Sequence, residues 1–214
     1  MSRALSKLSR AVTLGFIFAL VTALVPSAQG RRSDDSKDAR DAARLIEALT
    51  IRPGDTVAEI GAGSGSLAIA VGRHVGERGR VYATELGDSR IGDLKGKVAD
   101  AANIVVLAGD ERVSNLPPAC CDAVFMRNVY HHFADPAAMD ESLFRALKPG
   151  GRLVVMDFRP PNEASQPEDR DEDGHHGVGA ESVATELRRA GFDVLQSENS
   201  GDRDVFVLAR KPPE

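Results

Sequence analysis

Tryptophan is absent from this 214-residue chain, aromatic residues make up 5% of it, and there are two tyrosines and two cysteines. With so few aromatics there is no run of stacking platforms among basic residues, and no basic stripe occurs. Acidic residues are missing from the first 33 positions, which hold Arg3, Lys7, Arg10, Arg31 and Arg32. The remainder is therefore about ten units negative, although the formal net charge is only −5. Charge of that sign argues against nucleic acid as a partner. The cysteines, Cys120 and Cys121, are adjacent. Their Cα atoms lie about 3.8 Å apart across a trans peptide, short of the usual disulfide span of roughly 4.4–6.8 Å. No bridge between them is expected, and two thiols are too few for a zinc site.

No apolar run reaches the roughly 20 residues of a membrane-spanning helix. The longest, Ala11 to Val25, follows a basic start and precedes the small-x-small triplet Ala28-Gln29-Gly30. That order suits a signal peptide over residues 1–30 with cleavage before Arg31. Export to the periplasm or outside the cell is expected, with an uncleaved membrane anchor or an organellar transit peptide as alternatives. Residues 31–41 are charged and read as a linker, leaving 42–214 as one domain.

The centre of that domain is Val57 to Gly65, VAEIGAGSG. An apolar strand runs into glycines at alternate positions, Gly61, Gly63 and Gly65. Leu67, Val71 and Val75 then recur at helical spacing. Glycines in such a turn permit positive φ and close approach of the backbone to a ligand. Further strands are expected at Arg80–Leu86, Ile104–Ala108, Asp122–Met126 and Arg152–Phe158, alternating with helices at Asp88–Ala102 and Pro136–Leu147. This alternation predicts an α/β, doubly wound parallel sheet. Pro160 to Gly179 reads as a long acidic loop. A helix over Ala180–Ala190 and a terminal hairpin, Val194–Leu195 with Asp204–Ala209, close the chain.

The glycine spacing is G-x-G-x-G, not the G-x-G-x-x-G of diphosphate-binding turns. Glu59 stands two residues before the first glycine, where a carboxylate would repel a diphosphate and suit a cationic, phosphate-free nucleoside. S-adenosylmethionine is such a cofactor. Glu85, ending the second strand, is placed for the ribose hydroxyls, and Asp110, ending the third, for the adenine amino group. Asn128 follows the fourth strand and suits cofactor or acceptor hydrogen bonding. His131 and His132 lie where an acceptor would enter, and one of them is a candidate general base; the alternative is one packed and one solvated ring. Tyr130, Phe133 and Asp157-Phe158 are candidates for the acceptor wall, or for core. His175-His176 read as part of a solvated loop, and no metal site is expected.

These motifs resemble the class I S-adenosylmethionine-dependent methyltransferases from about Leu45 to Arg210. The resemblance is carried by Val57–Gly65, Glu85 and Gly109-Asp110. Phe125–Phe158, with Arg127-Asn128-Val129 and Leu147–Leu153 (LKPGGRL), is similar to the ubiquinone/menaquinone-biosynthesis branch. The resemblance implies a three-layer, Rossmann-like fold with a seven-stranded sheet, mostly parallel, the last strand antiparallel. It also implies methyl transfer to a small-molecule acceptor, with Glu59, Gly61, Gly63, Gly65, Glu85, Asp110 and Asn128 at the cofactor. The quinone enzymes have no export leader and their substrate-capping segments are not matched here. Two other readings stand beside it: an exported, non-catalytic binding module of the same fold, and an NAD-dependent oxidoreductase.

Overall fold

The computed structural model describes residues 28–160, 176–201 and 204–213. Residues 1–27 of the leader expected over 1–30, and most of the acidic loop, lie outside them, while Ala28–Gly30 fall in the first helix. Strands β1 (Thr56–Ile60), β2 (Arg80–Glu85), β3 (Ile104–Ala108), β4 (Cys121–Arg127), β5 (Leu147–Phe158), β6 (Asp193–Ser200) and β7 (Asp204–Arg210) form one sheet. Its order is β3-β2-β1-β4-β5-β7-β6. Neighbours are parallel from β3 through β5, and β7 runs antiparallel to both β5 and β6. The seven-stranded α/β sheet with its reversed last strand is the one the motifs imply.

Alternation along each strand sends its side chains to two cores. Val57, Val81, Ala83, Phe125 and Val154 face α1 (Ala28–Leu49), α2 (Ser66–Val75) and α3 (Asp88–Lys97). Ala58, Val124, Leu153 and Val155 face α4 (Pro136–Ala146) and α5 (Ala180–Arg189). Helix α4 starts cleanly because the Asp135 side chain accepts from the Ala138 amide and Pro136 occupies the first turn. The connections reverse direction between β1 and β4, so a switch point opens there at the carboxyl ends of the strands.

The largest departure from expectation is α1. Residues 31–41, read as a linker, belong to one helix that continues to Leu49. Their charge conceals a docked face. Asp38 and Asp41 receive hydrogen bonds of 2.6 and 2.7 Å from Arg127 Nη1 at the end of β4. Further along, Leu45 and Leu49 are buried, the Arg44 guanidinium lies 3.7 Å over the Phe206 ring, and Arg152 donates to the Ala48 carbonyl. A partner nearly ninety residues away leaves no trace in local periodicity.

Three smaller corrections follow. Cys120 and Cys121 are joined as a disulfide between adjacent residues, which the usual span of bridged pairs had argued against. Strand β5 begins at Leu147, not Arg152. Leu147 pairs with Cys121 ahead of a bulge, so the Lys148–Gly151 turn signal belongs to an irregular strand entry. Strand β6 is eight residues long because an edge strand needs its backbone paired, not its side chains buried. Among the described residues no helix is long and apolar enough to cross a membrane.

If α1 is part of the cooperative core, Leu45→Ala should lower stability by about 2–5 kcal/mol, the usual cost of such a cavity. Urea unfolding followed by circular dichroism measures this. A loss below about 1 kcal/mol would mean that α1 is not integral to the folded unit.

Candidate active site

The turn after β1 is held by the end of β2. Gly61 N–H donates to Thr84 Oγ1 at 3.2 Å, Ala62 N–H to the Thr84 carbonyl at 2.8 Å, and Gly63 N–H to Glu85 Oε2 at 2.7 Å. Glu85 Oε1 accepts from the Leu86 amide at 2.9 Å. Gly61 and Gly63 take φ of 67° and 52°, in the left-handed region that favours glycine. A Cβ on Gly61 would stand 2.6 Å from Val129 Cγ2, whereas one on Gly63 would meet nothing within 4 Å. The first glycine is thus required by packing, and the second presents bare backbone to open space.

That space is a cavity of about 490 Å³. Gly61, Gly63, Glu85, Asp110, Asn128 and His132 all line it, with Thr84, Arg127, Val129 and Phe133. Each Glu85 oxygen spends one lone pair on a backbone amide and keeps another for a ligand. Asn128 holds φ of 57°, tolerated by asparagine, and its amide donates to the Met156 carbonyl at 2.8 Å. Asp110 is exposed, and its Oδ1 accepts from the Arg112 amide.

Three expected site residues do not line the cavity. Glu59 is buried on the face that carries Val57, toward α1 and α2. Burial pushes its carboxyl up to about 8, against the opposing Arg127 charge and the Ala68 amide. Its Oε2 has no hydrogen-bond partner among the described residues. At neutral pH this group is mostly protonated, so it is not the charge that would reject a diphosphate. Gly65 caps α2 in a left-handed conformation, and a Cβ there would strike Leu94 at 2.8 Å, so it serves packing against α3. His131 is 2% exposed. Its Nδ1 donates to Asp157 Oδ1 at 2.8 Å, and its amide reaches Asp157 Oδ2 at 3.3 Å. Tyr130 is core: its hydroxyl sits between Asp140 and Glu186, at 2.8 and 2.9 Å.

Two contributors escaped the sequence reading. Thr84 fixes the turn, and a threonine beside the acidic strand end was the only local signal. Arg127 lines the cavity and anchors α1. Burial disfavours its charge, but the hydrogen bonds it donates to Asp41 and Asp38 outweigh that and hold its pKa above the ordinary value.

Residues 58–155 match the family model described as a methyltransferase domain. Over 122 residues the chain is 30% identical to the ubiquinone/menaquinone biosynthesis C-methyltransferase UbiE of Teredinibacter turnerae, a match covering 56% of this chain and 49% of that protein. The chain thus spans about half the length of the curated relatives it matches. Among solved structures, a SAM dependent methyltransferase from Aquifex aeolicus superposes with a TM-score of 0.68 at 24% identity, over 83% of this chain and 98% of that one. The [4+2]-cyclase SpnF superposes at 0.72 and 18% identity, over 82% of each chain. Residues 58–155 thus match a methyltransferase domain, and the fold is one that solved S-adenosylmethionine-dependent methyltransferases share. The cavity lies at the switch point, where open α/β sheets bind their ligands.

Two variants test these assignments. Glu85→Ala should weaken S-adenosylhomocysteine binding by about 1–3 kcal/mol through lost charge-assisted hydrogen bonds; unchanged affinity in calorimetry would refute the ribose contact. Glu59 binds its proton more tightly when folded than the ordinary value of 4.5 allows when unfolded. Its contribution is therefore present in full below about pH 4.5 and is lost as pH rises toward 8. Glu59→Gln, which cannot titrate, should gain on the wild type across that window by on the order of a few kcal/mol. Parallel stability curves for the two proteins between pH 5 and 8 would exclude a buried, protonated Glu59.

Proposed function

We propose that this chain catalyses methyl transfer from S-adenosylmethionine to a small-molecule acceptor. The observation that carries this reading is the set of hydrogen-bonding groups around one cavity: bare Gly63 backbone, the two Glu85 oxygens, Asp110 and Asn128. Bound there, the cofactor supplies an electrophilic methyl group. The protein's part is to hold the nucleophile in line with it, a task of position more than of chemistry. Asn128, Val129, His132 and Phe133 form the end of the cavity beyond the fourth strand, and we assign the acceptor to it. Of the two histidines, His132 reaches this space and is the one available to take a proton from an acceptor.

Relatives named as C-methyltransferases match about half their length, so the atom methylated is not carried over from them. We further propose, from the basic and apolar leader, that the domain works after export or at a membrane, where it would meet its acceptor. Recovery of the mature N-terminus from fractionated cells tests this. SpnF has this fold and is named a [4+2]-cyclase, so the fold by itself does not fix the reaction as methyl transfer.

Calorimetry with S-adenosylhomocysteine and NAD side by side separates the methyltransferase from an oxidoreductase. Release of S-adenosylhomocysteine across a panel of phenol, quinol, amine and thiol acceptors then tests turnover. His132→Ala should slow transfer to an acceptor that needs deprotonation by about 100-fold or more while leaving S-adenosylhomocysteine affinity nearly unchanged. Binding without turnover on any acceptor would favour the non-catalytic module.

A further inference from the structure

We propose that His131, His132 and His176 bind a divalent transition-metal ion of the zinc class beside the cofactor cavity. The ring nitrogens available as ligands from all three lie within 4.8 Å of one another. Ring centroids are 3.9 Å apart for His131 and His132, 4.5 Å for His131 and His176, and 5.7 Å for His132 and His176. These residues come from two separate segments, the 3₁₀ turn Tyr130–His132 and the stretch before α5.

The second observation is the state of His131. A carboxylate only accepts, so the Asp157 contact places a hydrogen on Nδ1, and in the neutral imidazole this leaves Nε2 as the lone pair. That Nε2 is buried and has no hydrogen-bond partner among the described residues. Asp157 is itself fully buried and takes further bonds from the His131 and Phe158 amides. A carboxylate holding the far nitrogen of an imidazole is the arrangement that fixes ring and tautomer in metal-binding histidines. Phe158 packs against His131 and His176, at 4.7 and 5.1 Å between centroids, giving the cluster an apolar wall.

Three imidazoles favour zinc, cobalt, nickel or copper over magnesium or calcium. Nitrogens sharing a tetrahedral ion at about 2.0–2.1 Å stand roughly 3.3 Å apart. The three rings must therefore draw closer to share an ion, His131 being the buried one and His132 and His176 the exposed pair. Three protein ligands leave a position open for an exogenous group. His132 also lines the cofactor cavity, so that position borders the acceptor end. If the methyl-transfer reading holds, on which this last step rests, His132 serves as ligand instead of base. The acceptor class narrows to molecules that coordinate the ion through oxygen or sulfur.

The test uses the untagged full chain, stripped with a chelator and titrated with Co²⁺ under visible absorption, then displaced with Zn²⁺. One equivalent should bind and give the bands of low-coordinate cobalt. His131→Gln and His176→Gln should each weaken binding at least 100-fold, and Asp157→Asn by about 10–100-fold. His74→Gln, remote from the cluster and bonded to the Ile51 carbonyl, should change nothing. Should His131→Gln fail to fold by circular dichroism, the exposed His176→Gln decides the matter. No uptake by the wild type, or uptake indifferent to His176→Gln, overturns the site. S-adenosylhomocysteine binding in the same preparations reports separately on the cofactor pocket: metal lost with nucleoside binding kept defeats this inference and not the methyltransferase reading.

Discussion

The amide of Gly63 donating to the buried carboxylate of Glu85 is the contact around which the cavity is arranged. It ties the turn after β1 to the end of β2, and Thr84 repeats the tie one step earlier through Gly61 and Ala62. Free glycine-rich backbone would sample many conformations at an entropic cost on binding. Here three hydrogen bonds to one neighbouring strand have already met that cost during folding. The same carboxylate that fixes the turn also lines the cavity, so the shape of the turn and the polarity of the cavity are set together.

Electrostatics in this region are more segregated than a count of acids implies. Glu85 and Asp110 lie at the cavity, whereas Glu59 lies behind it with Arg127, Asp38 and Asp41. Arg127 is shared, lining the cavity while its Nη1 is spent on α1. Two carboxylates on one guanidinium leave little positive potential to attract a diphosphate. The other charges at the cavity are Glu85, Asp110, Glu111 and the exposed Arg90, whose Nε lies 4.0 Å from Glu85 Oε1.

Strand and helix order was legible because buried parallel strands are short apolar runs and each is closed by glycine, proline or an acidic end. That Gly61, Gly63, Glu85, Asp110 and Asn128 line one cavity follows from their place at strand ends, which sequence locates well. What failed were inferences needing a partner far along the chain. A charged stretch was read as linker because its companions, Arg127 above all, are remote. Glu59 was read from its neighbours in sequence, while alternation along β1 turns it to the other side. Gly65 was grouped with two cofactor glycines by spacing, but its own contact is Leu94.

The histidine pair shows the same limit from the opposite direction. In a 3₁₀ turn successive side chains diverge by about 120°, so one ring of an adjacent pair can be buried and the other line the cavity while the two stay in contact. His131 is driven into the face shared with α4 and α5, where Asp157 receives it, and His132 is left to the cavity. Both Asp157 and His176 lie beyond residue 155, where the family match ends. Gly61, Gly63, Glu85, Asp110 and Asn128 all lie within the residues that the family model matches. The groups that complete the histidine cluster come from the C-terminal part of the fold, the end of β5 and the stretch before α5.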